Sequence, residues 1–145
     1  MTDSSSRCRT MSCAPGNERD ATTTHALLWW LDGDEHLSLP AREAIGDQHT
    51  VVLVSAASAW EIATKVRIGK LAGAIHVIEH LLDILDSQDF FHLPVSLEHA
   101  RRAGLMPGVH RDPFDRMLIA QAQIEGLILV SNETLFDSFG VARGW

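Results

Sequence analysis

The sequence has few cysteines, no long apolar run and no excess of positive charge. Its only cysteines, Cys8 and Cys13, lie in a polar N-terminal stretch without the paired spacing of a zinc site. Nowhere do about 18 apolar residues follow one another, and no signal-peptide run follows Arg7 or Arg9, which favours a cytoplasmic protein without membrane contact. The formal net charge of −7 argues against a broad basic surface for nucleic acid. It is compatible with carboxylates that hold a divalent cation.

The composition changes near residue 24. Residues 1–23 are rich in Ser, Thr, Asp, Asn, Gly and Arg, and such a segment buries too little apolar surface to offset the entropy lost on ordering. We predict a disordered or aberrant segment there. The whole chain of 145 residues, with 46% hydrophobic content, allows one domain of ordinary size. A single domain over residues 24–145 is therefore expected.

Two continuous apolar runs, at 51–54 and 127–130, have the composition of strands buried on both faces. Ser38 as N-cap and Pro40 in the first turn mark the beginning of one helix. A short extended piece is expected near 90–95, and helices are predicted at 26–31, 38–47, 57–70, 74–86, 96–103 and 113–125. Apolar strands that alternate with helices predict an α/β fold, in which helices flank a parallel sheet on both faces.

Acidic residues open the last predicted helix. Asp112 has the position of an N-cap, Pro113 follows at the first helical position, and Asp115 lies where it can meet free backbone N–H groups. Capping alone would explain both acids. However, Asp115 also heads the stripe Asp115, Leu118, Ile119, Ala122, which is otherwise apolar. A carboxylate at the top of such a stripe needs a partner, and a metal ion is one candidate.

Two further acids follow the predicted strands. Glu61 lies one turn inside the helix that is entered from the strand at 51–54, and Glu133 follows the strand at 127–130. Taken singly, Glu61 is explained by an ion pair with Lys65 at i+4, and Glu133 by a loop position. Together with Asp115 they are predicted at the carboxyl edge of one sheet, where ligands bind in such folds. Converging carboxylates repel one another, and Mg²⁺ or Mn²⁺ would relieve that repulsion.

Four blocks of the sequence share a recognisable order and spacing. They are THALLWWL at 24–31, SAWEI at 58–62, DPFDRMLIAQA at 112–122 and LVSNE at 129–133. Together they resemble PIN-domain ribonucleases of the VapC type, the toxins of type II toxin–antitoxin systems. The resemblance covers residues 24–145.

The resemblance implies a PIN-like three-layer fold and Mg²⁺- or Mn²⁺-dependent cleavage of RNA. It also implies a homodimer and a cognate antitoxin protein bound over the active edge. Carried over by position, Glu61 is expected as the second acid of the site, Asp115 as the third and Glu133 in the place of the fourth. These three are the expected catalytic and metal-binding residues, with Asp112 as an accessory metal ligand.

The resemblance does not extend to the residues before Thr24. The family has an apolar strand that ends in Asp directly before Thr-His-Ala, whereas this chain has Thr23 at the place of that acid. Asp20 lies three residues early, and the sequence does not support the slip that would bring it into register. The first strand is therefore expected to be missing or degraded, and RNA cleavage to be impaired. One hypothesis is that residues 1–23 are a mis-framed beginning, which the upstream DNA read in the other frames would test.

Two alternatives stay open. The sequence His-Val-Ile-Glu-His at 76–80 matches the pattern of inverted zinc metalloproteases, although His76, Glu79 and His80 also form the polar side of an amphipathic helix. Alternatively, the chain keeps the fold and has lost the chemistry, so that it acts as a module that binds antitoxin or RNA. The aromatic pairs at 29–30 and 90–91 fit such a module, but they also fit a core. Arg111 and Arg116 are candidates for contacts with RNA phosphates or for pairing with nearby acids.

Overall fold

A computed structural model of the protein describes residues 18–108 and 112–145 and has a five-stranded parallel sheet at its centre. The strands are β1 (Arg19–Thr22), β2 (Val51–Ser55), β3 (Phe91–Leu93), β4 (Ile128–Val130) and β5 (Arg143–Gly144). Their order across the sheet is β3-β2-β1-β4-β5. The α-helices are α1 (Thr24–Asp32), α2 (Leu39–Gly46), α3 (Ala56–Arg67), α4 (Ile75–Glu79), α5 (Leu81–Ser87), α6 (Leu97–Leu105) and α7 (Pro113–Glu125). The predicted α/β class and parallel sheet are confirmed.

Helices cover both faces of this sheet because successive side chains along each strand point to opposite sides. Leu53 and Leu129 point into a core formed with α6 and α7. Val52, Val54 and Val130 point into a second core, to which α1, α2, α3 and α5 contribute. The strands are thus buried on both faces, as their unbroken apolar runs predict, and the architecture has three layers.

Strand β1 lies at the centre of the sheet, so the expectation that the first strand is missing is wrong. Its residues pair with β2 and with β4, from Asp20 opposite Val52 and Ile128 to Thr22 opposite Val54 and Val130. The strand is nevertheless short and polar, with Ala21 as its one apolar residue. Backbone hydrogen bonds to two neighbours hold it in place, although its side chains contribute little apolar burial. The domain boundary predicted at residue 24 therefore excludes a strand that the structure places inside the sheet.

Most predicted elements are present with small shifts. Helix α2 begins after Ser38, whose hydroxyl accepts the Ala41 N–H at 3.2 Å, and α7 has the predicted bounds. The helix predicted at 74–86 is instead divided into a 3-10 turn (Ala72–Ala74), α4 and α5, with His80 between the two α-helices. Strand β5 and a 3-10 helix at Thr134–Phe139 were not predicted.

Over the described residues, no helix has both the length and the apolar content needed to cross a membrane. Cys8, Cys13, Arg111 and the first 17 residues of the predicted N-terminal segment lie outside the described residues.

Candidate functional site

Glu61 is a buried carboxylate on α3, the helix that leaves the carboxyl end of β2. The chain turns directly from β2 into α3 because Ser55 caps the helix, its hydroxyl accepting the Ala57 N–H at 3.0 Å. One turn further on, Glu61 is 4% exposed. Its Oε1 accepts a hydrogen bond from the Thr24 hydroxyl at 2.5 Å, which ties α3 to the first residue of α1. The Thr24 contact was not predicted, although Thr24 belongs to the first of the four sequence blocks.

The second oxygen of Glu61 is held by an ammonium group. Lys65 Nζ lies 2.6 Å from Glu61 Oε2, so the i,i+4 pair that the sequence offered as an explanation of Glu61 does form. The Glu61 side chain is only 5% exposed and that of Lys65 is 28% exposed. Removing one partner of such a buried pair typically costs about 3–5 kcal/mol because the other charge is left uncompensated. This pair therefore differs from a solvated surface pair, whose contribution is about 0.3–0.5 kcal/mol.

Helix α7 carries two more carboxylates, whose charges act on Lys65. Asp112 is its N-cap, as predicted, with Oδ1 accepting the backbone N–H groups of Phe114 at 2.9 Å and Asp115 at 3.2 Å. The hydrogen bond with Glu61 raises the pKa of Lys65 above its ordinary value, and although burial lowers it, the charges of Glu61, Asp112 and Asp115 raise it further. The positive charge of Lys65 therefore interacts with acids on both α3 and α7. Asp115 is half-buried above the buried residues of its stripe.

Glu133 is placed differently from the other three acids. It follows β4, as predicted, and precedes the 3-10 helix Thr134–Phe139, but its side chain is exposed. The Ser131 hydroxyl holds its backbone N–H at 3.0 Å. The structure thus pairs Glu61 with Lys65, lets the charges of Asp112 and Asp115 act on the same ammonium, and places Glu133 on the loop at the carboxyl end of β4.

Position 23, where the first acid of the site was expected, is buried and neutral. Thr23 precedes α1 in an extended conformation, and its hydroxyl donates to the carbonyl oxygen of Val130. Asp20 does not take its place, because it pairs in register within β1, three residues and about 10 Å further back along the strand. There it is 3% exposed, and burial, together with the charge of Glu18, raises the pKa of Asp20 to about 6.

The side chains at this edge of the sheet are of a type that binds metal ions, but their present arrangement does not form a metal site. Carboxylate oxygens are suitable ligands for Mg²⁺ or Mn²⁺. However, Thr24 and Lys65 engage both oxygens of Glu61, and Asp112 Oδ1 is engaged by backbone N–H groups. Within residues 18–108 and 112–145, no group of three His, Cys, Asp or Glu side chains is arranged to hold a metal. In this arrangement the residues do not fit a divalent cation, because Glu61, the buried acid of this edge, already bonds a protein cation.

Arg116 has a structural role that the sequence did not reveal. Its guanidinium donates to the carbonyl oxygens of Ala103 and Met106 at the C-terminal end of α6. These are carbonyls that a helix leaves without intrahelical donors. The guanidinium of Arg116 thus joins α7 to α6, and the suggestion that it contacts RNA phosphates or nearby acids stays a prediction.

The aromatic pairs belong largely to the core. Phe90 is buried, Phe91 is half-buried, and the two tryptophans at 29–30 are half-buried against the core formed with α1 and α2. Trp30 Nε1 donates to Gln88 at 2.9 Å. Their packing accounts for these aromatics without a partner.

The zinc alternative finds no support. His76 and His80 are neighbours, with ring centroids 4.7 Å apart, but His80 lies at the break between α4 and α5. The described part of the chain offers no third ligand that would complete a metal site with them. The pattern at 76–80 therefore covers most of the short helix α4 and its C-cap, with the two histidines exposed.

Comparison with known proteins identifies relatives by family and by fold. A family model described as the PIN domain matches residues 24–141. A search of curated proteins gives no match. The structure of VapBC2 from Rickettsia felis, bound to a promoter DNA fragment, has a TM-score of 0.63 and 15% identity over 86% of this chain and 96% of that chain.

Two further solved structures are similar over the same share of this chain. FitAB bound to the IR36 DNA fragment has a TM-score of 0.54 and 16% identity over 86% of this chain and 92% of that chain. FitAcB from Neisseria gonorrhoeae has a TM-score of 0.53 and 19% identity over 86% of this chain and 95% of that chain. At these identities the likeness is one of fold, and it agrees with the resemblance carried by the four sequence blocks.

Proposed function

Since the chain belongs to the PIN domain family, we propose that it is a toxin-type ribonuclease of the VapC kind whose cleavage of RNA is impaired. The observation that carries this proposal is the buried Glu61–Lys65 pair beyond the strands, on which the charges of Asp112 and Asp115 also act. In an open α/β sheet, ligands usually bind beyond the carboxyl ends of the strands, where these acids lie. Impairment follows because Thr23 supplies no carboxylate and Lys65 already neutralises part of the cluster.

The cation expected for cleavage is Mg²⁺ or Mn²⁺, and the acids proposed for the reaction are Glu61, Asp115 and Glu133, with Asp112 as an accessory. Within the protein, Thr24 and Lys65 fix the orientation of the Glu61 carboxylate. The backbone N–H groups of the first turn of α7 fix that of Asp112. Glu133 is exposed, so its participation requires the loop after β4 to bring it to the other acids.

The proposed partner is a small antitoxin protein, and the proposed substrate is RNA. The similar structures support the antitoxin partner alone, because VapBC2 and FitAB are toxin–antitoxin complexes, each bound to DNA. This chain, with a net charge of −7, is poorly suited to bind nucleic acid unaided. A second polypeptide that supplies positive charge would remove this difficulty. A homodimer and a cytoplasmic location are part of the same proposal.

The test is cleavage of a mixed RNA pool by the purified chain in Mg²⁺ and in Mn²⁺. We expect weak cleavage that Asp115→Asn abolishes and that the matched exposed substitution Asp83→Asn leaves unchanged. Strong cleavage by the unaltered chain, lost in Asp115→Asn, would contradict the proposed impairment. If cleavage is absent and stays absent after an acid is restored at position 23, the chain is a PIN module that binds its partner without chemistry. The ammonium of Lys65 within the acidic cluster is the observation that favours this second candidate.

A further inference from the structure

Lys65 supplies the positive charge that compensates the buried carboxylate of Glu61. Its Nζ lies 2.6 Å from Glu61 Oε2, and the carboxylate that it meets is almost completely withdrawn from solvent. A buried carboxylate without a compensating cation is strongly unfavourable. Since the Thr24 hydroxyl bonds the other oxygen, Glu61 is satisfied by groups of the protein alone.

The same ammonium also interacts electrostatically with acids of a second helix. The charges of Asp112 and Asp115 on α7 act on Lys65 in addition to that of Glu61 on α3. The Lys65 ammonium therefore bonds one carboxylate of α3 and feels the charges of two on α7. Like charges on the two helices repel, so a positive charge beside Glu61 favours the approach of α7 to α3. Helices α3 and α7 are in direct contact, which makes this electrostatic effect part of their packing.

We propose that Lys65 is the resident cation of the cluster Glu61, Asp112 and Asp115, and that a divalent metal ion binds there only after the Lys65 ammonium has left. Lys65 is on this view a positioning residue that sets the metal affinity by competition. The inference rests on the proposed function for the nature of the competitor, Mg²⁺ or Mn²⁺, and on the structure for everything else.

The side chain of Lys65 suits such an exchange. Its ammonium sits on a flexible four-carbon stem, and the side chain is 28% exposed, so an outward rotation brings the charge into water. Glu61 has no comparable freedom because its side chain is only 5% exposed and Thr24 holds it. The acids thus stay in place while the cation leaves. Metal binding is then opposed by the loss of the Lys65–Glu61 contact.

The decisive experiment is a titration of the purified metal-free chain with Mn²⁺, followed by electron paramagnetic resonance of the free ion. Lys65→Met removes the charge and keeps much of the apolar stem, and we expect it to raise the Mn²⁺ affinity by about tenfold or more, which corresponds to about 1.4 kcal/mol. Lys70→Met is the matched control, because Lys70 is exposed beyond the end of α3. Its affinity is expected to equal that of the unaltered chain.

Lys65→Arg separates the charge from the shape and keeps the test valid if Lys65→Met folds poorly. A retained positive charge is expected to keep the Mn²⁺ affinity as low as in the unaltered chain. The proposal is overturned if Lys65→Met binds Mn²⁺ no more tightly than Lys70→Met, or if Lys65→Arg binds it as tightly as Lys65→Met.

Thermal unfolding gives a second readout. Without metal, Lys65→Met is expected to melt at a lower temperature than the unaltered chain, and Mn²⁺ is expected to restore part of the difference. Equal melting temperatures of the two metal-free proteins would also contradict a stabilising role for the ammonium. Neither measurement depends on RNA cleavage, so a chain without nuclease activity can still confirm or refute this inference.

Discussion

Thr23 and Val130 are joined by two hydrogen bonds to a single oxygen. The backbone N–H of Thr23 donates to the carbonyl oxygen of Val130 at 3.3 Å, and the Thr23 hydroxyl donates to the same oxygen at 3.0 Å. The contact joins the end of β1 to the end of β4 at the edge where the acids lie. The position of the absent first acid is therefore occupied by a neutral side chain with a structural role.

Thr23→Asp is predicted to increase Mn²⁺-dependent RNA cleavage by about tenfold or more, equivalent to at least about 1.4 kcal/mol of the activation barrier. The new carboxylate stands beside Thr24, the residue that bonds Glu61, and adds a ligand to the cluster. Loss of the hydroxyl bond to Val130 costs about 1 kcal/mol, which N-capping of α1 by Asp partly offsets. Thr23→Asn, which caps without a charge, is the control. Equal cleavage by the Asp and Asn variants would show that the missing carboxylate does not limit activity.

Asp20→Val is predicted to stabilise the protein at neutral pH. The carboxyl of Asp20 is buried in the central strand, and its Oδ1 has no hydrogen-bond partner within the described residues. Burial raises the pKa of Asp20 from 3.8 to about 6, which corresponds to roughly 3 kcal/mol of penalty once the group is ionised in the folded state. Valine removes this penalty and favours strand structure. Urea denaturation at pH 7.5 should show a gain of roughly 2–3 kcal/mol, and a less stable variant would contradict it.

The pH dependence of Asp20 has a definite sign. Well below pH 3.8 the carboxyl of Asp20 is protonated in the folded and the unfolded chain, and its contribution to the free energy of unfolding does not change with pH. Between about pH 4 and pH 6 only the unfolded chain ionises fully, so the free energy of unfolding contributed by Asp20 falls as pH rises. Asp20→Asn should abolish this part of the slope. Parallel stability curves of Asp20→Asn and the unaltered chain across that range would argue against the raised pKa.

His99→Ala is predicted to destabilise the domain by about 2–3 kcal/mol. The ring of His99 is buried, its Nδ1 accepts the Ser96 N–H at 2.9 Å, and its Nε2 lies 2.8 Å from Glu125 Oε2. Alanine removes the capping box at the beginning of α6 and leaves Glu125 at the end of α7 without this partner. The exposed substitution His76→Ala serves as the control in urea denaturation. Equal stabilities of the two variants would contradict a structural role for His99.

Asp112 offers a test that separates a cap from a charge. Asp112→Asn keeps an oxygen for the N–H groups of Phe114 and Asp115, so its stability should be close to that of the unaltered chain. Asp112→Ala removes the cap and should cost about 1 kcal/mol. Both variants lose the negative charge that acts on Lys65, so both should reduce metal-dependent cleavage. If only the alanine variant loses activity, Asp112 contributes through the cap alone.

The sequence by itself determined the fold class and much of the local structure. The apolar runs at 51–54 and 127–130 can only be buried on both faces, and the caps at Ser38 and Asp112 specify where their helices begin, since each satisfies orphan N–H groups through its own side chain. The order of Glu61, Asp115 and Glu133 relative to the strands also followed from the chain. These are local signals, and nearby residues suffice to interpret them.

Tertiary structure decided what the acids do. Whether Arg19–Thr22 pairs at all depends on backbone hydrogen bonds from β2 and β4, which no local apolar pattern announces. That acids of α7 act on Lys65 of α3 depends on the packing of the two helices, whose residues are about fifty apart in the chain. In the sequence, Glu61 and Lys65 form an ordinary i,i+4 pair. Burial of Glu61 makes this pair a buried one, and the packing of α7 lets the charges of Asp112 and Asp115 act on Lys65, because charge compensation is governed by distance in space.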